Sequence, residues 1–231
     1  METLPHVLLV HGFASSFAHG WQQNDWTDLL ADAGREVVPI DLPGHGTSAP
    51  TTDPVAYADV PGALAATLAP HAPVDAVGFS TGARLLLDLA AEDAGRLRKL
   101  VLIGIGDNVF RDEDRDPLAR ALESGLDGAD GEDAADVGRR LFVRLARTAG
   151  NDPAALAAFL RRPDRPLRSE DLARVTCPAL IIIGERDFSG PANRLVDALP
   201  DAELVVLRGV DHFAAPREFG CISRALEFID A

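Results

Sequence analysis

The chain has 231 residues, a formal net charge of −14 and 47% hydrophobic residues. That composition supports a packed core and argues against disorder, and the acidic balance argues against nucleic acid or an anionic membrane surface as a partner. The length fits one large α/β domain, or one domain carrying an insertion.

The elements follow in chain order. "HVLLV" (residues 6–10) is a short apolar run closed by Gly12, which predicts a buried strand. "WTDLLADAG" (26–34) has helical spacing and a terminal glycine. "EVVPID" (36–41) predicts a second strand, followed by the turn-rich "LPGHGTSAP". "YADVPGALAATLAPH" predicts a helix, "VDAVGF" (74–79) a third strand, and "TGARLLLDLAAEDAG" the helix after it. "KLVLIG" (99–104), "PALIIIG" (178–184) and "AELVVLRG" (202–209) supply three more strands, and "CISRALEFID" a closing helix. Alternation of this kind predicts a mostly parallel sheet of about six strands, covered by helices on both faces. From Asp107 to about Val175 only helical patterns occur, such as "DVGRRLFVRLARTAG" and "AALAAFLRR". The reading is a core of residues 1–106 and 176–231, with a helical lid, residues 107–175, inserted after the fourth strand.

Chemistry is concentrated at strand ends. Gly78, Ser80 and Gly82 form G-x-S-x-G between a predicted strand and a predicted helix. A sharp turn there lifts a serine Oγ above the C-terminal edge of the sheet, and the helix after it aims N–H groups at the same spot. Ser80 is therefore the candidate nucleophile. His212, in "GVDHF", follows the last strand and is the candidate base. Asp187, in "IIIGERDF", follows the strand before it and is the candidate orienting carboxylate. All three fall on the edge where open α/β sheets place their sites.

With these motifs in order, the chain resembles the α/β-hydrolase fold superfamily, as a serine esterase-like member. "VHGF" (10–13) resembles the family's oxyanion loop, "DLPGHGTS" (41–48) its D-x-x-G-x-G-x-S turn, "GFSTG" the nucleophile elbow, "GERD" the acid loop and "DHF" the histidine loop. The resemblance implies that the N–H groups of Phe13 and Thr81 form an oxyanion hole. It also implies a serine hydrolase of small carboxylic esters or related acyl substrates, using neither metal nor organic cofactor. The family usually has a strand pair before the HG-x strand. Here the first strand starts within a few residues of Met1, so that sheet edge reads as trimmed.

Other residues carry alternatives. Asp107, in "GIGDN", is a second position for the acid; otherwise it is a loop or helix-cap residue. Asp211 reads as solvated, and His11 and His45 as makers of structural hydrogen bonds. His6, His19 and His71 have no partner visible in the sequence. Trp26 reads as core, while Phe17 and Trp21 could edge the pocket, and Cys177 reads as a small buried residue. Arg84 lies one turn into the elbow helix. It reads as a salt-bridge arginine, against the alternative of a carboxylate clamp. Elbows reading G-x-S-x-G-x-R occur in relatives that act on acidic menaquinone-pathway intermediates by elimination, and "GFSTGAR" resembles them. The lid shows no evident second arginine of that type.

Two further functions stay open: a lyase or C–C bond hydrolase using the same triad on an acidic metabolite, and a small-molecule receptor of the same fold. The N-terminus lacks a basic region followed by a long apolar run, and no run is long enough to span a bilayer. Two cysteines do not make a disulfide framework. The expectation is a cytoplasmic protein that binds a small acyl substrate and does not insert into membranes.

Overall fold

The computed structural model describes residues 4–93, 95–125 and 134–231. Six strands, β1 (Val7–Val10), β2 (Val37–Pro39), β3 (Val74–Phe79), β4 (Leu97–Ile103), β5 (Ala179–Gly184) and β6 (Ala202–Leu207), form one sheet. Its order is β2-β1-β3-β4-β5-β6 and every pair is parallel. All six predicted strands are present. β2 is shorter than its apolar run because it ends at Pro39, which has no N–H to donate, and it lies at a sheet edge. β4 starts two residues early, at Leu97, where a register shift between Val74 and Asp75 lets β3 reach back to it.

The helices are α1 (Phe17–Gly20), α2 (Trp26–Asp32), α3 (Val60–Leu68), α4 (Thr81–Glu92), α5 (Asp116–Ser124), α6 (Ala134–Thr148), α7 (Pro153–Leu160), α8 (Ser169–Leu172), α9 (Asn193–Ala198) and α10 (Phe219–Phe228). Strand side chains alternate between two cores. Leu8, Val10, Leu100, Leu102 and Ile181 pack with α3, α4 and α9 on one face. Val7, Leu9, Val77, Val101, Ile103 and Leu180 pack with α2 and α10 on the other. Apolar residues on both faces explain why β5 reads "ALIIIG" with every residue buried. Between β4 and β5 the described residues hold only helices, α5 to α8 and a short 3₁₀ turn at Asp107–Phe110. Among the described residues, no helix is long and apolar enough to cross a membrane.

The strand order places the site. From β1 the chain passes to β2 on one side, and it later returns through β3 to β6 on the other. The segments that leave the C-terminal ends of β1 and β3 therefore diverge from neighbouring strands, with Val10 paired to Gly78. A crevice opens at such a switch point. The opposite end of β3 is fixed by charge. Asp75 is fully buried and paired with Arg35 and Arg98, whose other bonds hold the Ile229 carbonyl near the C-terminus.

Candidate active site

Ser80 stands between β3 and α4 with φ 52° and ψ −113°. This is a region non-glycine residues avoid, at a cost of about 1–3 kcal/mol. Flanking small residues make the turn possible. A Cβ at Gly82 would collide with the Val10 carbonyl, and one at Gly78 would lie 2.7 Å from the Ala83 nitrogen. The Ser80 N–H donates to the Ile103 carbonyl at 2.8 Å, and its carbonyl accepts from Arg84 N–H at 3.0 Å. The elbow is thus anchored to β4 on one side and to the first turn of α4 on the other.

His212 and Asp187 reach Ser80 from the ends of β6 and β5. The Nδ1–H of His212 donates to Asp187, 2.9 Å from Oδ1 and 3.0 Å from Oδ2. That bond places the proton on Nδ1 and leaves Nε2 to accept from the Ser80 hydroxyl at 3.1 Å. Asp187 and His212 are both buried, and Asp187 Oδ1 also accepts from Ser189 N–H at 2.8 Å. The His212 ring lies among Phe79, Phe188 and Phe213, with centroids 4.9, 4.1 and 5.3 Å away.

The alternative acid is elsewhere. Asp107 Oδ1 accepts from Leu195 N–H at 3.0 Å in the first turn of α9, and its own N–H donates to the Pro191 carbonyl. It is a helix-end and loop residue. Asp211 is exposed and accepts from Ala214 N–H at 3.0 Å.

Phe13 lies in a tight turn closed by Ser15 N–H to the Gly12 carbonyl at 3.3 Å, with Ala14 at φ 61°. Thr81 is the first residue of α4, so no carbonyl of its own helix can reach its N–H. Both residues line a cleft of about 190 Å³ together with Ser80. Phe142, Phe159 and Phe188 supply apolar wall, with the Phe13 ring 5.8 Å from Phe142 and 6.2 Å from Phe159.

Two buried histidines support the turn that carries Phe13. His11 Nδ1–H donates to the Gly12 carbonyl at 2.8 Å, and its Nε2 accepts from Leu42 N–H at 3.0 Å. His45 Nδ1–H donates to the Pro43 carbonyl at 3.0 Å. Burial lowers His11 to about 4 and His45 to about 3, so both rings are neutral and structural. Asp41 joins the two turns, since Oδ1 accepts from Phe17 N–H at 2.6 Å and Oδ2 from Thr47 N–H at 2.8 Å. These hydrogen bonds hold its carboxyl below the usual range against the opposing effect of burial. His6 bonds Glu36 and lies beside His71, and His19 Nδ1 is 3.4 Å from Ser15 Oγ.

One expectation is corrected. Trp21 does not edge the cleft. It is buried edge-on against Trp26 at 5.1 Å, because α1 turns it into the core beneath α2. The helical insertion also brings arginines to the cleft. Arg111, Arg115 and Arg162 line the Ser80 cleft with Arg84, beside one acid, Glu113. Arg84 is a salt-bridge arginine, as expected. Its Nε donates to Asp88 at 3.1 Å and its Nη2 to Asp164 at 3.3 Å and to the Arg165 carbonyl at 2.5 Å. Arg115 shares Asp164 at 2.5 Å. Arg162 lies over the Phe159 ring at 4.1 Å, and burial lowers it to about 10. Arg111 has no carboxylate partner among the described residues. Cys177 and Cys221 are buried free thiols, raised by burial to about 11 and about 12.

A contact the sequence did not suggest belongs to Asn151, which bonds the Ala14 and Ser15 carbonyls from the insertion. No local signal marks it, because an asparagine after a helix and Gly150 reads as an ordinary loop residue.

A family model described as "Alpha/beta hydrolase family" matches residues 7–220. Among curated relatives, a pimeloyl-[acyl-carrier protein] methyl ester esterase of Neisseria meningitidis is 29% identical over 218 residues, covering 84% of this chain and 83% of that one. Among solved structures, an esterase from Exiguobacterium antarcticum superposes with TM-score 0.76 at 18% identity, covering 100% of this chain and 94% of that one. BpoC of Mycobacterium tuberculosis, a non-heme bromoperoxidase by its description, gives 0.73 at 19% identity, covering 98% and 92%. These two likenesses establish the fold. By the family match across most of its length, the chain belongs to the alpha/beta hydrolase family.

Proposed function

We propose that the protein is a serine hydrolase of carboxylic esters that works through an acyl-enzyme on Ser80. The observation that carries this reading is the continuous chain of hydrogen bonds from Asp187 through His212 to Ser80. Ser80 Oγ attacks the ester carbonyl as its proton passes to His212 Nε2. Asp187 stabilises the imidazolium through Nδ1–H and takes no proton itself. The negative charge forms on the former carbonyl oxygen, where the N–H groups of Phe13 and Thr81 receive it. Collapse of that intermediate breaks the ester C–O bond, and the alcohol leaves with the proton from Nε2. Water, deprotonated by His212, then attacks the acyl-Ser80 ester and releases the carboxylic acid. These steps use no metal and no organic cofactor. The curated relatives named as pimeloyl-[acyl-carrier protein] methyl ester esterases support the ester chemistry. Residues 107–175, of which 126–133 lie outside the described residues, act as the lid over the cleft, on a core of 1–106 and 176–231.

A panel of acyl esters of graded chain length, assayed with wild type and Ser80→Ala, tests the reading. Turnover that is saturable in wild type and lost in Ser80→Ala is the expected result. Equal turnover in both contradicts it.

A second reading has its own observation, the arginines Arg84, Arg111, Arg115 and Arg162 around the reactive serine. They suit a substrate with a carboxylate remote from the reacting carbon. The same triad then serves proton transfer, as a lyase or C–C bond hydrolase of an acidic metabolite. Acidic dienone and enol substrates added to the panel separate the two.

A further inference from the structure

Asn151 follows α6 and is buried, with 8% of its surface exposed. Its Oδ1 accepts from Gly46 N–H at 2.7 Å, and its Nδ2 donates to the carbonyls of Ala14 and Ser15 at 2.9 and 3.0 Å. The partners fix the amide's orientation. Gly46 offers a donor and the two carbonyls offer only acceptors, so a flipped amide forfeits all three bonds. The backbone N–H of Asn151 donates to the Ala146 carbonyl at 2.9 Å, which ties the side chain to the last turns of α6.

Three segments therefore meet at one side chain: the end of α6, the 41–48 turn, and the turn that carries Phe13. The last of these needs holding. Ala14 sits at φ 61°, a left-handed conformation that residues with a Cβ avoid. The turn's own closing bond, Ser15 N–H to Gly12, is long at 3.3 Å. The two bonds from Asn151 grip the carbonyls of the two residues just after Phe13. Gly46 is fixed in its turn, because its φ is 54° and a Cβ would run into the Asp41 carboxylate.

We infer that Asn151 is a positioning residue for the oxyanion donor: it holds the Phe13–Ala14–Ser15 turn in the shape that aims the Phe13 N–H at the cleft, and so couples the helical insertion to catalysis. This rests on the proposed role of Phe13 as an oxyanion donor. A merely structural tie lowers the melting temperature and leaves the chemical step intact. A positioning residue lowers kcat and spares substrate binding, because the charge it serves exists only in the transition state.

The test uses Asn151→Asp and Asn151→Ala, assayed on 4-nitrophenyl acetate at a temperature where circular dichroism shows each variant folded. Asn151→Asp keeps the volume and the acceptor for Gly46 but sets a carboxylate oxygen against two carbonyls. Asn151→Ala removes the bonds without repulsion, and whichever variant is folded decides. The expected result is a kcat loss of about 10- to 100-fold with KM within about threefold. Affinity for a trifluoromethyl ketone, to whose carbonyl carbon Ser80 Oγ adds to give a hemiketal oxyanion as its proton passes to His212, should fall by a similar factor. A folded variant with kcat and ketone affinity within about twofold of wild type overturns the inference. Loss of Ser80 dependence in wild type is a different failure, that of the triad itself, and Ser80→Ala assayed alongside distinguishes the two.

Discussion

The Nε2 of His212 lies 3.1 Å from Oγ of Ser80, although 132 residues separate them in the chain. Parallel strands bring them together, since β3 and β6 run the same way and deliver both residues to one edge of the sheet. The same geometry brings Asp187 from β5 to the other nitrogen of the ring.

Asp187→Asn should cut turnover far more than Asp107→Asn. Asparagine at 187 can present its NH₂ to Nδ1 and favour the wrong imidazole tautomer, and a comparable change in a serine protease costs about 10⁴-fold. Asp107→Asn removes a charge that caps α9 and touches no part of the triad, so the expected change is within about threefold. Steady-state kinetics on one ester, with circular dichroism to show both variants folded, reads the difference. Equal losses would move the orienting acid to the β4 loop.

The arginines divide by what already neutralises them. Arg84 is met by Asp88 and Asp164, so Arg84→Met should alter neutral and anionic substrates alike and modestly. Arg111 lines the same cleft with no carboxylate partner among the described residues. If the second reading holds, Arg111→Met loses about ten- to a hundredfold in kcat/KM on substrates with a remote carboxylate and little on neutral esters, the worth of one charge-assisted hydrogen bond. A uniform loss across both substrate types removes the support for an anion site.

Acid should destabilise the fold well before the ordinary carboxylates titrate. His11 is about 4 and His45 about 3 in the folded protein, against 6.5 for an unperturbed histidine. Below pH about 6.5 the unfolded chain binds protons that the folded chain refuses. Stability is therefore full above that pH and falls as pH drops from about 6.5 toward about 4. Thermal melts across this window should show a falling midpoint. His45→Phe, which keeps an aromatic ring beside Phe13 and Phe159, should flatten the decline. A midpoint constant between pH 6.5 and 4.5 contradicts the burial of these neutral rings.

Much of this was legible in the sequence, for physical reasons. Strands buried on both faces read as unbroken apolar runs, and "LIII" in β5 needs no partner to declare itself. Strained turns admit few residue types, so Gly78 and Gly82 mark the elbow locally. Asp187 and His212 follow strands, and parallel topology alone carries them to Ser80. What was not legible depends on packing between distant segments. Trp21 follows the Phe13 turn by only a few residues, yet the turn of α1 buries it against Trp26. Arg111, Arg115 and Arg162 carry no shared sequence signal, and only the segments before α5 and after α7 bring them around one cleft. Asn151 holds two turns more than 100 residues away in the chain, with separations of 105 to Gly46 and 137 to Ala14.

The most direct test of the account is covalent labelling with a fluorophosphonate, followed by intact-mass and peptide analysis. A hydroxyl bonded to His212 Nε2, with donors waiting for the oxyanion, should attack phosphorus and displace fluoride. The expected result is one adduct per chain, on Ser80, absent from Ser80→Ala and strongly slowed in His212→Ala. Wild-type protein that stays unlabelled, or labelling that persists unchanged in Ser80→Ala, would contradict it.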